Sequence, residues 1–86
     1  MNDEERQVTL TDVFQLANEL GVQMIFNLEQ GSFDLDTKAA APFQLHGTYR
    51  QSQAGREAAY SALVRYRVTL RSYASRRAST WAYLAE

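Results

Sequence analysis

The C-terminal stretch 54–86, AGREAAYSALVRYRVTLRSYASRRASTWAYLAE, is more than a third of the chain and sets what the remainder must fold against. It carries Arg56, Arg65, Arg67, Arg71, Arg76 and Arg77, together with Tyr60, Tyr66, Tyr73, Tyr83 and the only tryptophan, Trp81. Ala59, Leu63, Tyr66, Leu70, Tyr73, Arg77, Trp81 and Leu84 fall on one stripe at spacings of three and four, as on an amphipathic helix. Ala54, Ala58, Ala59 and Ala62 favour helix intrinsically. Inside the same stretch Val64, Tyr66, Val68 and Leu70 alternate with Arg65, Arg67, Thr69 and Arg71, residue types that suit a strand. Helix is preferred because its stripe runs further, to Trp81 and Leu84. A helix over Gln53–Ala85 is roughly 50 Å long, whereas a compact chain of this size has a radius of gyration of about 12 Å. Such a rod overhangs its own domain. Either it breaks, around Ser72–Ser75, or its far end packs on another chain.

Upstream, residues 1–8 open polar and acidic and are expected to be a disordered terminus, leaving 9–86 as one small domain. Thr9-Leu10-Thr11-Asp12 offers side-chain oxygens for a helix start, with either threonine able to cap it. Leu10, Val13, Phe14, Ala17 and Leu20 then recur at helical spacing, so Thr11–Leu20 is predicted helical and Gly21 supplies a left-handed C-terminal cap. After Gly21 the period shortens. Val22, Met24, Phe26 and Leu28 alternate with Gln23, Ile25, Asn27 and Glu29, and Phe33 and Leu35 alternate with Asp34 and Asp36. A hairpin over Val22–Asp36 with its turn at Gln30-Gly31-Ser32 is preferred; Leu20, Met24 and Leu28 also fit a helix continuing from the first. Thr37–Pro42 is a linker, and alternation at Phe43, Leu45, Gly47 and Tyr49 predicts a third strand over Phe43–Arg50. The expected fold class is α+β: a short N-terminal helix, a small antiparallel three-stranded sheet and a long C-terminal helix. The alternative is all-α, with helices over Thr11–Leu28 and Gln53–Leu84.

Charge divides the chain. Residues 1–37 carry eight acids against Arg6 alone, a balance of −7, while residues 38–86 carry Lys38 and seven arginines against Glu57 and Glu86, a balance of +6. The halves can attract each other, or the basic half can meet an acidic partner. With no cysteine the chain forms no disulfide and has no thiolate chemistry, which fits a reducing compartment. No apolar run is long enough to cross a membrane. A soluble, cytoplasmic protein is expected.

No catalytic set is apparent. His46 stands alone, without the second histidine or cysteine that a metal site would use. No serine sits in a nucleophile elbow, and Gly31, Gly47 and Gly55 form no phosphate-cradling motif. Asp34 and Asp36 share one face of a strand, where paired carboxylates are ordinarily solvated. Neither a cofactor, a metal nor a small-molecule substrate is expected. Arginine with almost no lysine favours forked bonds to carboxylate or phosphate. Arg65 and Arg76 share a helical face, and Arg67 and Arg71 form an i, i+4 pair beside the apolar stripe.

Two stretches resemble known nucleic-acid-binding families. Leu16-Ala17-Asn18-Glu19-Leu20-Gly21-Val22 resembles the LAxxLGV turn region of bacterial helix-turn-helix repressors, although Met24, Ile25 and Phe26 then stand where base-reading residues would be polar. The order helix, three strands, helix over Thr11–Tyr66 is similar to a double-stranded-RNA-binding domain. Ala58-Ala59-Tyr60-Ser61-Ala62-Leu63 resembles the AAxxAL of its last helix. Gln51-Ser52-Gln53-Ala54-Gly55 replaces that family's basic KKxAK cluster, which implies a largely disarmed RNA-binding helix start.

The function expected from the sequence is that of a small non-enzymatic interaction protein of bacterial or phage type. It would regulate a larger protein by binding it, as a homodimer, through Tyr73, Arg76, Arg77, Trp81 and Tyr83, with Arg65 and Arg67 next. The alternative is a nucleic-acid-binding regulator that sets Arg65, Arg67, Arg71, Arg76 and Arg77 against phosphates.

Overall fold

Thr9 starts the first helix. Its hydroxyl accepts from the Asp12 amide at 3.1 Å and the Asp12 carboxylate accepts from the Thr9 amide at 3.0 Å, a reciprocal capping box. Helix α1 runs Leu10–Glu19 and buries Val13, Leu16 and Ala17. It ends where Gly21 takes φ 72°, a conformation that costs a residue without Cβ little. The structure, a computed structural model, describes residues 7–38 and 44–85, with 76–85 described by backbone alone. Of the terminus expected to be disordered, residues 1–6 lie outside the described residues, whereas Val8 packs against the core.

Strands β1 (Val22–Asn27), β2 (Ser32–Thr37) and β3 (His46–Arg50) form an antiparallel sheet in the order β1-β2-β3. The all-α alternative and the helix continuing through Leu28 are thereby excluded. Leu28 is not on a strand: it sits in the turn, 84% exposed. The turn closes two residues earlier than its glycine suggests, because the Asn27 side chain accepts from the Gln30 amide at 3.2 Å. Gly31 completes the turn at φ 60°, and Ser32 already belongs to β2, buried. The third strand begins at His46; Phe43 lies outside the described residues, and the ladder extends upstream only as Thr37 N–H donating to the Leu45 carbonyl at 2.8 Å.

One sheet face carries Val22, Met24 and Phe26, then Phe33, Leu35 and Thr37, then Leu45, Gly47 and Tyr49. Phe33 lies between Phe26, 6.2 Å away, and Tyr49, stacked at 5.9 Å. Helix α2 (Gln53–Ala85) and α1 both pack on this face, so Val13, Leu16, Ala17, Phe33, Leu35, Ala59, Leu63 and Tyr66 form one core. The strand reading of residues 64–70 fails here because Ala59, Leu63 and Tyr66 meet the sheet together only on a helix. Tyr66 also donates to Thr37 Oγ1 at 3.4 Å.

The helix does not break at Ser72–Ser75; it is 33 residues long without interruption. The radius of gyration is 15.8 Å and the long axis 54 Å, against the roughly 12 Å radius of a compact chain this long. The overhang is real, and α2 sets it. Among the described residues no helix is long and apolar enough to cross a membrane.

Candidate functional site

Helix α2 starts at Ser52, whose hydroxyl accepts from the Gly55 amide at 3.2 Å. From there its apolar stripe loses cover steadily: Ala59 and Leu63 are 0% exposed, Tyr66 8% and Tyr73 39%. Leu70 is half-buried and residues 71–75 are all exposed. Among the described side chains cover falls away after Tyr66, yet the helix continues to Ala85. Val68 and Tyr73, both exposed, border a surface hollow of about 290 Å³ with Thr69 and Ser72. The side chains of Arg76, Arg77, Trp81 and Tyr83 lie outside the described residues; the helix carrying them is described.

The remaining arginines divide into three environments. Arg65 is exposed and borders a groove of about 450 Å³ between α2 and β3, which Leu45, Tyr49, Ala62 and Tyr66 also line. Arg71 is exposed. Arg67 is half-buried and its Nε is buried without an acceptor, so packing rather than solvent positions its stem. The expected i, i+4 pair is therefore split between two surroundings.

Arg56 was not singled out by sequence, and it has the most defined role. Its Nε donates to the Val8 carbonyl at 2.7 Å, one terminal nitrogen to the Gln51 carbonyl, and the other to Gln53 Oε1 at 2.7 Å. It thus ties the chain before α1 to the start of α2. Replacing Arg56 with alanine is expected to cost about 1.5–3 kcal/mol, read as a lower denaturant midpoint with unchanged slope; lysine should rescue only part, since an ammonium cannot fork. No sequence signal marks Arg56 among its neighbours, because two of its three acceptors are backbone carbonyls and one of those, Val8, is brought to it only by the fold.

The opposite sheet face is polar and uncovered. Asp34, Asp36, His46 and Thr48 line a hollow of about 270 Å³ there together with Ile25, and Thr48 donates to Asp34 at 2.7 Å. All four polar side chains are exposed. Water competes for each of them, and nothing there is enclosed as a general acid or base would require. Among the described residues no group of three or more acidic or histidine side chains is placed to hold a metal ion.

No family model, curated protein or solved structure matches the chain. Of the two resemblances, the helix-turn-helix one is overturned: Leu16–Val22 is the end of α1, a turn and the start of β1, so Met24–Phe26 is strand and no recognition helix follows. The element order does agree with the RNA-binding resemblance. At the start of α2, however, the single cation within residues 51–56 is Arg56, and its donors are already taken by Val8, Gln51 and Gln53.

Proposed function

We propose that this protein is a small non-enzymatic interaction protein of bacterial or phage type that regulates a larger protein by binding it, as a homodimer, through the projecting part of α2. The observation that carries this reading is the decline of burial along α2 while the helix itself continues. Ordering chain where cover from the domain is falling costs conformational entropy that the domain's own burial offsets less and less. Tyr73, Arg76, Arg77, Trp81 and Tyr83 are of the kinds enriched at the centres of protein interfaces, and Arg65 and Arg67 adjoin them. The absence of cysteine supports a cytoplasmic setting.

The test is capture by a photo-reactive phenylalanine placed at Tyr73 in cells of the source organism. One protein should be captured, and Trp81→Ala should reduce its yield about ten-fold, the loss expected for an interface anchor worth more than 1 kcal/mol, with an unchanged circular-dichroism spectrum. Equal capture by Trp81→Ala would sink the reading. Binding of duplex RNA or DNA that weakens by about one log-log unit in salt per phosphate, and that is lost when Arg65, Arg71, Arg76 and Arg77 are replaced, would transfer it to the nucleic-acid alternative.

A further inference from the structure

We infer that β1 is the dimer seam: two copies join their β1 strands antiparallel, with Met24 on the two-fold axis, to make one six-stranded sheet. The inference takes up the homodimer of the reading above and leaves the role of α2 untouched.

Sheet order puts β1 at an edge. The phase of its hydrogen bonds follows from two bonds elsewhere. Thr37 N–H donates to the Leu45 carbonyl at 2.8 Å and Gln51 N–H to the Gly31 carbonyl at 3.0 Å, both in the β2–β3 register. Odd-numbered residues of β2 therefore bond toward β3, and Ser32, Asp34 and Asp36 bond toward their β1 partners Asn27, Ile25 and Gln23. That leaves the N–H and C=O of Val22, Met24 and Phe26 aimed out of the sheet.

Edge strands are ordinarily blunted by charge, proline, a bulge or brevity. The strand Val22-Gln23-Met24-Ile25-Phe26-Asn27 has none of these: six residues, uncharged, without proline, paired to β2 with no residue skipped. By contrast β3, at the other edge, is five residues long, contains Gly47 and ends in Arg50.

The strand also complements itself. Facing residues of antiparallel strands lie on the same side of a sheet, so odd must meet odd. Centring on Met24 sets Val22 opposite Phe26 of the second copy, Met24 opposite Met24 and Gln23 opposite Ile25. Every outward N–H and C=O on both strands then finds a partner, and no charge faces its like. Part of this edge is apolar and uncovered: Ile25 and Phe26 are each 46% exposed.

Salt gives the seam a signature. Joining β1 to β1 brings together two segments 7–37, each with Asp12, Glu19, Glu29, Asp34 and Asp36 and no lysine or arginine, a balance of −5. Their repulsion is screened by salt, so this dimer tightens as salt rises, whereas one joining the basic α2 to the acidic half would loosen.

Sedimentation equilibrium of the full chain at about 0.05 M and about 0.5 M salt, which spans most of the screening range, tests this. A dimer that tightens with salt is expected. Met24→Pro removes an N–H that bonds nothing within the chain, and Ile25→Glu places an exposed acid beside the axis. Each should raise the dimer dissociation constant about ten-fold or more while the circular-dichroism spectrum is retained. In a mixed-label dimer, a contact between the α-protons of Gln23 and Ile25 on different chains should report the register. A monomer throughout, a dimer that loosens with salt, or one indifferent to Ile25→Glu overturns the inference. Should Met24→Pro unfold the chain, Ile25→Glu on the solvent face decides alone. Trp81→Ala should leave the dimer intact, and the β1 variants should still be captured through Tyr73, so failure of the seam and failure of the partner reading are separable.

Discussion

Gly55→Ala is expected to destabilise the protein by about 3 kcal/mol, lowering its melting temperature by about 12–24 °C for a domain of this length. A Cβ at Gly55 would lie 2.0 Å from the Arg50 carbonyl oxygen, 2.7 Å from its carbon and 2.9 Å from the Arg50 nitrogen. All three are backbone atoms at the end of β3, which cannot rotate aside as a side-chain tip would. The first turn of α2 would have to lift from the sheet, loosening the Ser52 cap and the Arg56 tie with it. Alanine is the better helix former by about 1 kcal/mol, so the gain offsets only part of the loss. A scanning-calorimetry midpoint at or above that of the parent chain would show that α2 is not seated against Arg50.

Phe33→Ala should cost about 3–5 kcal/mol, a large share of the roughly 5–10 kcal/mol that holds a chain of this size folded. Phe33 is fully buried on the central strand, with Phe26 and Tyr49 on either side. No neighbour can collapse into the space without pulling β1 or β3 out of line. Chemical denaturation is the measurement; a loss under about 0.5 kcal/mol, the scale of an ordinary surface change, would mean that the three rings are not packed as described. Phe26→Ala, at the exposed edge, should cost distinctly less.

The two helices and their order were legible because each carries its own local signals. Thr9 and Asp12 form the capping box at three-residue spacing, Gly21 ends α1, and Ala59, Leu63 and Tyr66 mark the inward face of α2. The hairpin was legible from alternation, but its turn was not placed correctly. Leu28 continues the apolar alternation, and only the Asn27 side chain closing on Gln30 takes it out of the strand. For the candidate site, the projection of α2 was readable from helical period and length as one of two outcomes, the other being a break at Ser72–Ser75. What Arg67 and Arg65 touch was not, since their surroundings come from α2 lying across the sheet.

By itself the sequence favoured the α+β class over an all-α one and marked the inward faces of the helices and strands, because caps and hydrophobic period act over a few neighbouring residues. Only the tertiary structure decided that α2 runs unbroken past Ser72–Ser75, that cover along its described side chains falls away after Tyr66, that Gly55 must yield its side chain to Arg50, that Arg56 is a tie rather than a surface cation, and that the outer side of an uncharged β1 stands at the sheet edge. Most of those depend on groups far apart in the chain. Their distances are set by packing, and no local propensity encodes them.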